Sequence, residues 1–302
     1  MLNVHRLILL RELDSRGSLS AVARDHDVSP AAVSQHLSGL EKDVGIALTE
    51  RVGRRILLTP SGKKLARRAD QIVEILEAAE AELDDGRTRI HGTVRLSSFG
   101  SFAVSYFADI LHRMKSSHPD VTVEFNLLEP EAAVSSLLGR RTDVAITDEF
   151  SGRPQPVDTE MNSVHLFRDR IVAYSPWPVA SLEDLRELPW VFETSGTTAS
   201  DWAKGMCRRA GFEPKVSYES SDLRFHHDLV QAGMAAAFLP DMVFDNGVNP
   251  LDRPPHPITW PEAMATELYR DLYALTRRGA RLRPATAALL NHTVEATRAA
   301  IT

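Results

Sequence analysis

Ala31, Ser34, Gln35 and Ser38 are all small or hydrogen-bonding, and no acid stands among them. At helical intervals they share one face, whereas a face meant only for water ordinarily carries Glu and Lys. Such a face can approach another surface closely. Gln35 can make a paired amide contact with adenine, Ser34 can donate or accept, and the Ala31 methyl suits a thymine methyl. Ser29, Pro30 and Ser38 suit phosphate contacts through hydroxyls and the free N–H groups of a helix start. Arg51, Arg54 and Arg55 follow around Gly53, placed for phosphate or minor-groove contact.

The surrounding pattern supplies elements able to hold these groups. Val4, Leu7, Ile8, Leu10 and Leu13 form a helical apolar stripe ending near Gly17. Ser18 is placed to cap a second helix through Leu19, Val22 and Ala23, which stops around Asp25-His26-Asp27. Asp is among the few residues that tolerate the left-handed backbone such a turn can need. Ser29-Pro30 gives a cap followed by a helix-starting proline. Val33, Leu37, Leu40 and Val44 then recur at spacings of 4, 3 and 4, which buries one face of the third helix and turns the Gln35 face outward. Apolar segments on both sides of the Gly53 tip predict a small β-hairpin, or wing.

Thr59-Pro60 opens a long helix running to about Asp85. Its apolar residues Leu65, Ala69, Ile72, Leu76, Ala79 and Leu83 alternate at spacings of 4 and 3, the seam of a coiled coil. A narrow seam of this kind needs a partner, most simply its copy in a second subunit.

The charge follows the same division. The chain of 302 residues carries a net charge of −6, yet residues 1–68 balance at +5 and the remainder at −11. A basic head on an acidic body fits a head that meets a polyanion. The length suggests about two domains. From Gly92 onward strands and helices alternate: Val94–Ser97, Val121–Phe125, Asp143–Thr147, Arg170–Tyr174, Trp190–Glu193, Lys215–Tyr218 and Leu272–Leu275 read as strands. That alternation predicts a parallel sheet covered on both faces. The proline-rich stretch Pro250–Pro261 reads as a surface loop with a short strand.

The stretch GSLSAVARDHDVSPAAVSQHLSGLEKDVGIALTERVGRRILLTPSG closely resembles the N-terminal winged helix-turn-helix of LysR-type transcriptional regulators. GTVRLSSFG, LLGRRTDVAITD and DLVQAGMAAAFLP resemble that family's periplasmic-binding-protein-like effector domain. The resemblance covers essentially the whole chain. It implies a winged helix-turn-helix over residues 1–59, a dimerisation helix over 60–87, and an α/β effector-binding domain over 88–302. The last would comprise subdomain I, about 92–165 and 270–302, and subdomain II, about 166–269, joined by two crossover strands. It further implies a homodimer or a tetramer built as a dimer of dimers, with RNA polymerase a candidate partner besides double-stranded DNA. Thr49 departs from the family, which usually has an aromatic or apolar residue there, so its local packing is expected to differ. The segment YSPWPVASLEDL departs too, and the edge of subdomain II is expected to differ there.

In this topology a small-molecule effector sits between the subdomains, at strand carboxyl ends and helix starts. By position the candidates are Ser98, Gly100 and Ser101, then Glu129, then Thr147 and Asp148, then Thr194, Ser195 and Thr197, and finally Ser221 and Asp222. Hydroxyls beside helix N–H groups suit a carboxylate, and the two aspartates suit an ammonium or guanidinium, so an amino acid or amine-bearing carboxylate is the first guess. A hydroxyl at a helix start also serves simply as a cap.

Catalysis finds little in the sequence. There is no nucleophile elbow, phosphate-binding glycine loop or His-Glu-x-x-His motif, and the adjacent His226 and His227 diverge too far for a metal site. No enzyme activity, cofactor or metal is expected. The single cysteine, Cys207, excludes an intrachain disulfide and a cysteine-rich zinc site, and reads as a small core residue in a cytoplasmic protein. No membrane partner is expected, because no apolar run reaches the ~18 residues that span a bilayer. The competing reading is a solute-binding module whose head has only vestigial DNA affinity.

Overall fold

The computed structural model describes residues 2–26, 28–53, 55–84, 89–153, 161–181, 184–244, 251–278 and 283–299. The chain forms two compact units, one made chiefly of Met1–Thr88 and one chiefly of the residues that follow.

In the first unit each helix begins and ends where local chemistry dictates. Helix α1 (Val4–Arg16) is capped by Asn3, whose Oδ1 accepts from the Arg6 N–H at 3.1 Å, and ends on Gly17 at φ 68°. A left-handed residue there favours glycine. Ser18 caps α2 (Leu19–Asp25) through the Ala21 N–H at 3.2 Å. The residue closing α2, His26, has φ −103°, so the left-handed turn expected here is absent at His26; Asp27 lies outside the described residues. Ser29 caps α3 (Pro30–Val44) through the Ala32 N–H at 3.1 Å. Strands β1 (Thr49–Val52) and β2 (Arg55–Leu58) pair antiparallel as the wing, and α4 (Pro60–Asp84) follows.

Leu7, Leu9, Leu10, Leu13, Val22, Val33, Leu37, Leu40, Leu48 and Leu58 make the core of this unit, each contributing roughly 2 kcal/mol on burial. Helix α4 closes that core. Ala66 and Ala69 are buried in it, and Leu65 and Ile72 pack against it. The seam expected to face a second subunit is therefore divided: Leu65, Ala69 and Ile72 are engaged within their own unit. Leu76 and Ala79 are exposed, as is Ile75 at 68%. The Leu83 side chain lies outside the described residues.

The second unit begins with β3 (Gly92–Ser98), α5 (Gly100–Phe102), a π-helical turn at Ala103–Phe107 and α6 (Ala108–Ser117). It continues through β4 (Val121–Leu127), α7 (Pro130–Leu138), β5 (Val144–Phe150) and the long β6 (Met161–Tyr174). Then come β7 (Pro189–Phe192), α8 (Thr198–Arg209), β8 (Lys215–Glu219), α9 (Leu223–Gln231) and β9 (Ala237–Pro240). Helix α10 (Glu262–Ala265), β10 (Tyr269–Arg277) and α11 (Pro284–Ala299) complete it.

The main sheet has the order β4-β3-β5-β10-β6-β9, with β7 and β8 as a separate parallel pair. It is mixed, not wholly parallel as the alternation predicted. Strand β3 runs parallel to β4 and β5, but β10 is antiparallel to both β5 and β6, and β6 is antiparallel to β9. The reason is topological: β6 leaves the first half of the domain and β10 returns to it, so they must run in opposite senses. Sequence reading starts β6 at Arg170, nine residues late, and passes over β9, a wholly buried run with no alternation to reveal it. Among the described residues of the Pro250–Pro261 stretch, Pro257 bridges to Tyr174.

Two large cores lie under these strands, beside a small one at Ala133, Leu137 and Ala145. One gathers Leu96, Phe102, Ile110, Met114, Ile146, Leu272 and Leu289. The other is aromatic, with Trp190, Phe192, Trp202, Phe212, Phe238 and Trp260 around Cys207. Burial raises the Cys207 thiol well above its ordinary value, so it stays an un-ionised core group.

Candidate functional site

On α3, Val33, Leu37 and Leu40 point inward, which leaves Ala31, Gln35 and Ser38 exposed and Ser34 partly so. Ser29 and Pro30 are exposed at the helix start, and the Ser29 hydroxyl oxygen is occupied as the cap. Arg51 is exposed on β1, its Nε donating to the Gly53 carbonyl at 3.3 Å. Arg54 and the Arg55 side chain lie outside the described residues.

The end of α3 is tied to the wing by a residue that sequence reading missed. Glu41 Oε1 accepts from the Leu48 N–H (2.9 Å), the Thr49 N–H (2.8 Å) and the Thr49 hydroxyl (2.9 Å). This explains how a polar Thr49 fits where an apolar residue is usual: its hydroxyl shares an acceptor that already serves the backbone. Gly62 at the start of α4 is equally constrained, because a Cβ there would fall on the Leu48 carbonyl oxygen.

The second unit contains a pocket of about 20 Å³ lined by Phe99, Gly100, Ser101, Glu129, Glu131, Asp148, Phe150, Glu193, Thr197, Thr198, Ser221, Leu223 and Arg270 among others. It is continuous in its lining with a small aromatic recess containing Trp202, Phe238 and His226. On its other side lies a cavity of about 440 Å³ bounded by Ala103, Val104, Leu127, Val243 and Leu251, which shares Gly100, Ser101, Glu129, Ser221 and Leu223.

Arg270, 3% exposed, organises the floor. Its Nη1 donates to Asp148 at 3.0 Å, its Nε to Asp169 at 3.1 Å and its Nη2 to the Ser101 hydroxyl at 3.1 Å. Its guanidinium also lies 5.0 Å from the Phe99 ring centre. Asp169 additionally accepts from the Met242 N–H at 3.1 Å. Burial pushes Asp148 and Asp169 above the ordinary carboxylate range, and Arg270 pulls them back. The guanidinium thus serves two carboxylates on two different strands.

The remaining acids are less well served. Glu193, at the end of β7, is pushed up to about 8 by burial and then by the nearby Asp148. Glu129 is raised by burial and by Asp148 and Glu131, against Arg270. Glu131 on α7 accepts from the Thr198 hydroxyl on α8 at 2.9 Å, a hydrogen bond across the pocket mouth.

Of the residues chosen from sequence, Gly100, Ser101, Glu129, Asp148, Thr197 and Ser221 come together in this pocket, and Asp222 lines the adjoining cavity. Thr197 and Asp222 also cap α8 and α9. Ser98 and Thr147 are buried and do not line it. Thr194 and Ser195 are exposed beyond it, Ser195 bonding Glu219 and Lys204. His226 and His227 each donate to a backbone carbonyl, of Ser220 (2.7 Å) and Asp252 (2.9 Å). Sequence reading missed Arg270, Glu193, Glu131 and Thr198. Glu193 was legible as the last residue before the chosen Thr194 loop. Arg270 was not, because nothing in the sequence places the middle of a late strand beneath residues 100–150.

Comparison with known proteins agrees with this architecture. Residues 4–63 match the family model "Bacterial regulatory helix-turn-helix protein, lysR family", and residues 87–298 match "LysR substrate binding domain". The chain is 27% identical over 253 residues to the transcriptional dual regulator GltC of Bacillus subtilis, covering 80% of this chain and 82% of that one. It is 23% identical over 249 residues to the regulator CysB of Haemophilus influenzae, covering 80% and 76%. Among solved structures, full-length OxyR from Pseudomonas aeruginosa superposes with a TM-score of 0.72 at 17% identity, over 99% of this chain and 95% of that one. Full-length CbnR complexed with its target DNA gives 0.57 at 19% identity, over 98% and 100%. With a lysR-family helix-turn-helix at its start and a LysR substrate-binding domain over most of its length, the chain belongs to the LysR family of DNA-binding transcriptional regulators.

Proposed function

We propose that this regulator works in the cytoplasm as a homodimer or dimer of dimers, and that a small molecule in the pocket of the second unit sets its DNA output. Among the described residues no helix is long and apolar enough to cross a membrane. The exposed face of α3 would read base edges through Gln35, Ser34 and Ala31. Ser29, Pro30, Ser38 and the wing arginines Arg51, Arg54 and Arg55 would hold the phosphates. Ile75, Leu76 and Ala79 offer the remaining apolar face of α4 for pairing. RNA polymerase is the expected further partner.

The observation that carries effector control is the make-up of the pocket. Its lining comes from residues before and within β5 (Ser101, Glu129, Asp148) and from residues after β6 (Glu193, Thr198, Ser221), with Arg270 of β10 between them. We read the first group as subdomain I, the second as subdomain II, and β6 and β10 as the crossover strands. A ligand bridging the two groups binds open and closed arrangements unequally, and only such a difference can shift an equilibrium.

The first test is retention of genomic fragments by the purified protein at two salt concentrations, followed by sequencing. A few sites of imperfect inverted symmetry should survive the higher salt. Uniform retention that is lost at higher salt would leave only electrostatic affinity and refute sequence-specific reading.

A further inference from the structure

We propose that the ligand of this pocket is a primary amine on an apolar body, its ammonium held between Glu129 and Glu193 and its body in the adjoining cavity. The proposal rests on the effector-pocket reading above and names its ligand class.

Charge is the first argument. The pocket is lined by four carboxyl groups, Glu129, Glu131, Asp148 and Glu193, and by one guanidinium. Arg270 is already shared between Asp148 and Asp169, so it has no charge to spare for an incoming carboxylate. Glu131 is engaged by Thr198. Glu129 and Glu193 have no side-chain hydrogen bond or ion pair among the described residues, and each stands near other acids. Ionising partly buried carboxyls left this way is costly unless something positive meets them.

Size and polarity supply the second. The acidic pocket, at about 20 Å³, admits one water-sized group, which an ammonium is. The adjoining cavity, at about 440 Å³, exceeds the roughly 150 Å³ that accommodates benzene in an apolar site. Val104 and Leu127 stand 58% and 62% exposed in its wall, apolar surface that a ligand body would cover. Glu129 lines both spaces, so a head bound to it leads directly into the cavity. The cavity's own charged residues are Glu129, Asp222 and the exposed Arg224, 4.0 Å from Asp228, so its balance is also negative. An amine without a carboxylate fits better than an amino acid.

Binding should release a proton. Glu193 faces Asp148 from β5, Glu129 and Glu131 from the α7 end, Arg270 from β10, and His226 of α9 across the aromatic recess. With its carboxyl pushed up to about 8, Glu193 holds a proton at pH 7 that an ammonium would displace.

The test is calorimetric titration of the full-length protein with n-butylamine to n-octylamine and 2-phenylethylamine. Controls are 2-phenylethanol, 3-phenylpropanoate and phenylalanine, with a DNA footprint taken alongside. At least one amine should bind ten or more times tighter than its neutral and acidic counterparts, and its affinity should rise about tenfold per pH unit up to pH 8. Glu129→Gln and Glu193→Gln should each weaken it at least tenfold, with melting temperature confirming that each variant folds. Failure of the whole amine series overturns the proposal. So does tighter binding of 3-phenylpropanoate or phenylalanine, although either of these leaves the pocket reading standing. Amine binding that is lost in both variants but leaves the footprint unchanged upholds the amine assignment and overturns effector control instead.

Discussion

Gln35, Arg51 and Glu41 lie close together in sequence and have separable consequences. Gln35→Ala should blunt discrimination at one base position by about 1–3 kcal/mol while leaving non-specific affinity intact. Arg51→Ala should weaken binding to every sequence and lower the salt slope by about one, as filter binding across a salt series would show. Equal effects from the two would refute the division of labour between helix and wing. Glu41 is half-buried, and its one oxygen serves two backbone N–H groups and a hydroxyl. Glu41→Ala should cost the first unit roughly 2–3 kcal/mol by leaving those donors unmet, measurable by urea denaturation. Glu193 predicts a pH effect of defined sign. Between its ordinary range near 4.5 and its folded value of about 8, the unfolded chain has lost a proton that the folded chain keeps. Stability therefore falls as pH rises through that window. Glu193→Gln removes the loss, so the melting temperature of the variant should exceed that of the parent by a margin that grows from pH 5 to pH 8.

Helix α4 shows how one regular pattern can meet two environments. Its 4-and-3 spacing is continuous from Leu65 to Leu83, but the first half covers the core of its own unit while Ile75, Leu76 and Ala79 remain exposed. If this exposed face pairs subunits as proposed, a double change, Ile75→Lys with Leu76→Lys, should shift the protein from dimer to monomer in sedimentation without lowering the melting temperature of the first unit. The helix start admits no such freedom. Gly62→Ala drives a methyl into the Leu48 carbonyl, and overpacking of this kind costs about 1–3 kcal/mol. Circular dichroism should show that loss. The Thr59 hydroxyl reinforces the junction, accepting from the Gly62 N–H at 3.0 Å and donating to the Ala47 carbonyl at 2.9 Å.

At the scale of the whole second unit, Arg270 joins parts far apart in sequence. From β10 it reaches Asp148 on β5, Asp169 on β6 and Ser101 in α5. Removing it strands two buried carboxylates, so Arg270→Met should cost about 3–5 kcal/mol in denaturant titration. The same network sits under the pocket floor, which places the pocket lining and the strands joining its two groups of residues in one set of hydrogen bonds. Glu131 and Thr198, both in the pocket lining, are hydrogen-bonded to each other.

Sequence alone determined the caps Ser18 and Ser29, the helix end at Gly17, the inward stripe of α3, the wing and the outward Gln35 face, because each follows from residues within a few positions of one another. It also picked out Ser101, Glu129 and Ser221 near helix starts, and Asp148, which it read as following a strand and which the structure places within β5. Tertiary structure decided everything that depends on which distant strands become neighbours. It ran β10 antiparallel through a sheet that local alternation read as parallel. It set Arg270 against Asp148 and Asp169, and it turned Glu193 from a strand end into a partly buried acid. Local pattern reports a residue's own periodicity and capping chemistry, whereas charge pairing and desolvation depend on neighbours that only the folded chain supplies.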